Sequence, residues 1–195
     1  MSLSDAVPEG QPVKPIGGET ALTDRPEQPI SHLARIITQA PRFTGDPHRL
    51  NNGEHAALRR MNPDAPRPHQ IAALMRALNF AEIEPSVETW PRWALIAHGM
   101  ALAGHDPSKK HLGQQLSEAG VSESRVTKLL TSRGDAFRQL LPRLLRLLAS
   151  KNVAPNWREL GDLVLNQDRD DEKEEKAESI RLKIARYYFS VKPTN

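Results

Sequence analysis

Guanidinium groups are the chemistry most concentrated in this chain. Between positions 125 and 158 stand Arg125, Lys128, Arg133, Arg138, Arg143, Arg146, Lys151 and Arg158, against a single acidic residue, Asp135. A planar guanidinium donates two parallel hydrogen bonds to phosphate oxygens and keeps its charge at any working pH. Such a one-sign run suits the backbone of a nucleic acid, because phosphate neutralisation supplies most of the affinity in sequence-independent binding. A surface built only for solubility mixes the two signs. Two plainer readings stay open beside this one: ordinary solvated arginines, or arginines that pair with carboxylates of a protein partner.

Other chemistry is sparsely provided. The 195 residues include no cysteine, which removes disulfides, thiolate metal sites and a cysteine nucleophile together. Of the seven histidines, His98, His105 and His111 form one loose grouping and His48 with His55 a second. Neither has the i, i+4 spacing with a flanking carboxylate that a helical zinc site uses, so surface or capping roles are expected. Asp168, Asp170 and Glu172 start like a calcium loop, but Lys173 stands where glycine is needed and Ser179 where the closing glutamate belongs. Glu82, Glu84 and Glu88 lack an identifiable base, nucleophile or apolar pocket and read as solvated. Arg133-Gly134-Asp135 reads as a tight turn. No catalytic residue, metal or cofactor is expected, and the chain reads as a non-enzyme.

Net charge is only +3, but it is unevenly spread. Positions 1–30 carry two basic and five acidic residues, 31–167 carry 18 and 12, and 168–195 carry seven of each. The first 30 residues are broken by five prolines and three glycines and offer little to bury, which predicts a disordered tail. No run approaches the ~18 apolar residues needed to cross a bilayer, and no secretory start is evident, so a cytoplasmic protein without membrane contact is expected.

The elements that must position the arginines are helical throughout. Ser31 could cap a helix with Leu33, Ile36 and Ile37; another should run from about Asn52 to Met61, ended by Asn62-Pro63-Asp64-Ala65-Pro66-Arg67-Pro68. Ile71, Leu74, Met75 and Leu78 recur at helical spacing, as do Trp93, Ile96, Met100 and Ala103. From Asp135 to Ala149, Phe137, Leu140, Leu141, Leu144, Leu145, Leu147 and Leu148 fill one arc at ~100° per residue. Arg138, Arg143 and Arg146 fall on the other, with Pro142 as a kink or boundary. Asn156 should open a helix carrying Trp157, Leu160, Leu163 and Val164, and Ile180, Ile184, Tyr187 and Tyr188 mark a last amphipathic one. The charged run 168–178 reads as a mobile connector or a frayed helix start. No period-2 strand appears, so the expected fold is an all-α helical bundle over 31–195, as a single domain or two small helical subdomains.

The stretch 112–130 offers a rival function. Gly120 and Val121 could form the turn of a helix-turn-helix, with Ser124, Arg125, Thr127 and Lys128 facing base edges in the manner of a transcriptional regulator. A helix, a glycine turn and a capped helix are also how any bundle turns a corner.

Three stretches together resemble the CasB family, the small subunit of the type I-E CRISPR Cascade complex. They are Leu50-Asn-Asn-Gly-Glu-His-Ala-Ala-Leu-Arg-Arg-Met61; Leu112-Gly113 through Arg125 and Arg133 to Leu140-Leu-Pro-Arg-Leu-Leu-Arg-Leu-Leu148; and Trp157-Arg-Glu-Leu-Gly-Asp-Leu-Val164 followed by Ile180-Arg-Leu-Lys-Ile-Ala-Arg-Tyr-Tyr-Phe189. Their order and spacing carry the resemblance, over roughly residues 31–190. It implies a helical, non-catalytic subunit of a surveillance complex in antiviral defence. Such a subunit is present as a homodimer beside backbone and large subunits, where it positions the hybrid of guide RNA and target DNA and holds the displaced strand of the R-loop. It also implies nucleic-acid roles for Arg59, Arg60, Arg125, Arg133, Arg143 and Arg146, to which the charge pattern adds Lys128 and Arg138. The proline-rich tail, Pro142 and the acidic run around 170–175 depart from the family pattern, and Pro142 bears on the facing of Arg143.

Overall fold

A computed structural model describes residues 28–40 and 49–190, apart from Lys109. Among these residues the chain forms nine helices and no strand: α1 (Pro29–Gln39), α2 (Asn52–Arg59), α3 (Pro68–Phe80), α4 (Trp90–Ala103), α5 (Leu112–Glu118), α6 (Glu123–Thr131), α7 (Gly134–Ser150), α8 (Trp157–Asn166) and α9 (Asp171–Ser190). The all-α bundle expected from the periodicities is what forms. The sequence-level tail boundary at residue 30 needs correction. α1 already begins at Pro29, whose fixed φ suits a first turn; Ile30 is buried, and Ser31 lies inside the helix, with Gln28 preceding it as cap. The rest of the proposed tail lies outside the described residues, as does His48.

α4 is the axis of the bundle. Trp93 to Met100 are buried without interruption, so this helix is surrounded on all sides, as an all-round apolar helix must be. It packs against α1, α2, α7 and α8. Gly99 makes the closest of these approaches possible. A Cβ there would stand 2.3 Å from the Trp157 ring and 2.8 Å from Leu145 Cδ1. Trp157 is fully buried and its indole Nε1 donates to the Gly104 carbonyl at 2.7 Å, which satisfies its one polar atom.

The C-terminal part hangs on α9, which packs against α5, α6 and α8. Of the two readings of 168–178, mobile connector or frayed helix start, the helix is what forms: α9 is continuous from Asp171, and the link to α8 is only the short segment 167–170. A first turn of Asp171, Glu172 and Glu174 complements the helix dipole. The charged run is held by ion pairs where apolar burial is lacking. Arg181, buried at 3% exposure, donates to Glu174 at 2.8 Å and Glu178 at 2.7 Å, and to Gln167 Oε1 at 3.0 Å. Arg92 from α4 donates to the Val164 and Gln167 carbonyls at 2.8 and 2.7 Å, capping the C-terminus of α8. A second clamp centres on Glu159. It accepts from the Leu112 amide at 2.8 Å and from Lys183 at 2.9 Å and bonds the His111 ring at 2.6 Å, joining α5, α8 and α9. Burial would raise its pKa, but these three partners outweigh that and hold the carboxyl below its ordinary value.

Candidate nucleic-acid interface

α7 runs unbroken through Pro142. Proline removes the N–H that would have bonded the Arg138 carbonyl, yet the helix keeps Leu141, Leu144, Leu145 and Leu148 buried on one side and Arg143 and Arg146 exposed on the other. The sequence-level question over the facing of Arg143 is thereby answered. Leu144 and Leu145 fix the rotation of the helix, and the exposed arginines follow from it.

That exposed face is one wall of a cleft of about 490 Å³. Gln139, Pro142, Arg143 and Arg146 of α7 stand on one side, Arg60 to Asp64 after α2 stand opposite, and Leu95 and His98 of α4 form the floor. Asn51 fixes α2 by a reciprocal cap, accepting from the Glu54 amide at 2.9 Å while Glu54 accepts from the Asn51 amide at 2.8 Å. The far end of α2 is tied down by Gln70, which donates to the Arg60 carbonyl at 3.2 Å. Arg60 is thus held at the backbone while its side chain stays exposed, with Arg59 exposed beside it. Arg59, Arg60, Arg143 and Arg146 have no carboxylate partner among the described residues.

His98 lies under this wall of charge and is 4% exposed, so it is neither the surface nor the capping histidine expected from sequence. Its Nδ1 lies 3.0 Å from the Leu58 carbonyl. Burial lowers its pKa, the bond to Leu58 opposes the shift, and the charge of Arg146 adds to it, so the ring is held neutral. His55 is shifted the same way, by burial and then by the charge of Arg59. His111, by contrast, takes the capping position of α5 and stacks on Tyr187 at 3.7 Å.

The remaining predicted arginines are placed differently. Arg138 lines the cleft but pairs with Asp64. Arg133 donates to the Leu130 and Ser132 carbonyls at 2.8 and 3.0 Å, approaches Glu174 at 3.4 Å and pairs with Glu178, so it closes α6 onto α9. Arg125 and Lys128 are exposed on α6 and are not among the residues lining the cleft. The helix-turn-helix corner exists as a turn, with Gly120 at φ +67. Its first helix has only seven residues and is pressed onto α9 at Gly113.

Two neighbouring hollows give the cleft a direction. Beyond Arg60 and Asn62 it continues into a hollow lined by Arg67 and His69 at the start of α3. Beyond Leu95 and Arg138 it meets one lined by Glu88, Asp135 and Asp168 together with Arg92. One end is basic, and the other mixes three carboxylates with Arg92 and Arg138. Sequence reasoning passed over Asn62, Arg67 and His69, whose only signal was their place in the proline-broken corner after the paired arginines. Glu82, Glu84 and Glu88 are exposed, as read. Among the described residues no group of three or more His, Asp or Glu is arranged to hold a metal, and no helix is long and apolar enough to cross a membrane.

Compared with known proteins, the chain matches the family described as CRISPR-associated protein Cse2 over residues 54–189. That span takes in the α2 corner, the cleft, α7 and nearly all of α9. No curated protein and no solved structure matches it.

Proposed function

The chain belongs to the CRISPR-associated Cse2 family, the CasB subunit of type I-E Cascade, and from that premise we propose that it stabilises the R-loop by holding the backbone of the displaced DNA strand in the cleft between α2 and α7. The observation that carries this reading is the convergence of Arg60 with Arg143 and Arg146 on one cleft, free of carboxylate partners among the described residues. Their separation in sequence makes the convergence a product of the fold. Arg59 extends the same basic edge. The strand leaves past Arg67 and His69, since at the other end three carboxylates, Glu88, Asp135 and Asp168, stand beside Arg92 and Arg138, whose guanidiniums are already engaged by the Val164 and Gln167 carbonyls and by Asp64. Arg125 and Lys128 add an outlying attraction on α6, and Arg133 acts by keeping α6 and α9 together.

The role needs no catalysis. Exchanging a DNA duplex for a guide–target hybrid is nearly balanced in energy, so a few added backbone contacts to the displaced strand tip it. The subunit acts beside the backbone and large subunits of the complex, as a homodimer, with the guide–target hybrid on its other contacts. The regulator reading of 112–130 has less behind it, because α5 is too short and too closely pressed on α9 to move as part of an independent reading head.

The test is the double variant Arg143→Ala with Arg146→Ala. Each phosphate contact to a single strand contributes a salt slope of ~0.7, so removing two lowers the slope by ~1.4 and weakens binding about 25-fold at ~0.1 M salt. R-loop formation by the reconstituted complex is measured over a salt series, with far-UV circular dichroism confirming the fold. Unchanged target binding and an unchanged slope would refute the assignment. Tight binding of the wild-type chain to one duplex operator, with little affinity for random single strands, would favour the regulator instead.

A further inference from the structure

We propose that Asp64 is a built-in competitor for phosphate: its carboxylate holds Arg138 inside the basic cleft and yields that guanidinium to an incoming nucleic-acid backbone. The inference rests on the cleft reading above and adds a specificity-setting residue to it.

Among the side chains of the cleft, Asp64 is the single carboxylate set against Arg60, Arg138, Arg143 and Arg146. Its position is prepared locally. Pro63 and Pro66 restrict the corner, the Asp64 amide donates to Asn62 Oδ1 at 3.2 Å, and the Ala65 amide donates to the Asn62 carbonyl at 3.2 Å. The corner therefore presents the carboxylate to Arg138 across 74 residues of sequence. A carboxylate on one edge of a guanidinium occupies the place a phosphate oxygen takes in a bidentate pair.

The exposures decide whether this contact is a lock or an exchangeable one. The Asp64 side chain is 58% exposed and that of Arg138 38%. Pairs as open as this contribute little to stability, so a phosphate can displace the carboxylate at small cost. Compare Arg133, whose guanidinium also bonds two backbone carbonyls and so is anchored from both sides. Arg138 has no such anchor among the described residues, its ion pair being with Asp64. By occupying Arg138, Asp64 lowers the affinity of the cleft for stray single strands. A strand delivered at high local concentration by the assembled complex overcomes that competition.

The experiment compares wild type, Asp64→Asn and Asp64→Glu as full chains, with binding of a fluorescent single-stranded oligonucleotide read by anisotropy. Asp64→Asn should bind about two- to fivefold more tightly at ~50 mM salt, which is the range an exposed ion pair commands. The gain should shrink by ~0.5 M salt, where screening shortens the reach of the carboxylate. Asp64→Glu, which keeps the charge, should stay near wild type. In an Arg138→Gln background most of the Asp64→Asn gain should vanish. Equal or weaker binding by Asp64→Asn, a gain independent of salt, or a gain undiminished without Arg138 would each overturn the proposal. If wild type itself fails to bind, or binds without regard to Arg143→Ala and Arg146→Ala, the cleft reading falls first. If that sensitivity is present and Asp64→Asn is silent, only the competitor role falls.

Discussion

Gly113→Ala should unfold this protein at a markedly lower temperature, although alanine is the better helix former. Gly113 lies in α5 where that helix meets α9, and a Cβ at this point would stand 2.2 Å from the Ile184 carbonyl oxygen and 2.6 Å from the Tyr188 amide nitrogen. Ordinary contacts of a Cβ lie between 3.4 and 4 Å. The atoms met are backbone, so no rotamer change can relieve them, and α9 must move by more than an ångström. Overpacking of this kind costs about 3 kcal/mol at the upper end of its usual range. Helix propensity returns about 1 kcal/mol when glycine becomes alanine. The net loss of about 2 kcal/mol corresponds to a fall of roughly 4–8 °C in Tm for a chain of this size. Thermal unfolding followed at 222 nm measures it. A midpoint equal to or above wild type would refute the close α5–α9 approach and the account of the C-terminal half that depends on it.

Acid should weaken the fold through one buried and two half-buried imidazoles. His98, His55 and His105 all have pKa values lowered from 6.5, with burial as the largest cause in each case. The folded state therefore favours the neutral rings. Their contribution is complete above about pH 6.5 and is lost as pH falls through the lowered values. Tm should decline as pH falls below about 6.5, and His98→Gln should flatten that decline; identical slopes in the two proteins would remove His98 from the explanation. Replacing Arg125 and Lys128 with Ala should cost less than about threefold in single-strand affinity at ~0.15 M salt, because neither lines the cleft and exposed charges that do not touch the strand are weakened by screening. An anisotropy titration showing a loss as large as that of the Arg143 and Arg146 pair would move the interface to α6.

The parts legible in the sequence were those governed by local periodicity. The leucines of α7 fix which way that helix is turned, so the outward facing of Arg143 and Arg146 followed from counting at ~100° per residue. Asn156 was recognisable as a cap, and its side chain does accept from the Arg158 amide at 3.0 Å. What escaped were pairings between distant segments. Nothing near Arg138 announces Asp64, and nothing near Arg133 announces Glu174 and Glu178. Residues 168–178 read as a mobile connector or a frayed helix start because their helix is secured by ion pairs, from Arg181 within α9 and from Arg133 across to it, and a scan for apolar residues is blind to those. Asp171, Glu172 and Glu174 at a helix start were a usable signal, since acidic first turns favour the dipole. His98 was misjudged because its own helix is apolar all round. From Trp93 to Ala101 every position of this helix is interior, and a histidine there is buried and bonded.

The arginines of this chain divide by what lies across from them. Those that face carboxylates or carbonyls, Arg92, Arg133 and Arg181, hold helices α4, α6, α8 and α9 in place, and their replacement would be felt as lost stability. Those without carboxylates, Arg60, Arg143 and Arg146, leave positive charge gathered on one cleft, which is electrostatically unfavourable in the free protein. A fold gains nothing by keeping like charges together. On the proposed reading, phosphates entering the cleft would relieve the arrangement, and that relief would add to the binding free energy of the strand. Arg138 stands between the two groups, paired yet exposed. If the cleft binds a strand as proposed, the boundary between structural and binding arginines runs through a single ion pair, and the charge of Asp64 sets on which side of it Arg138 falls.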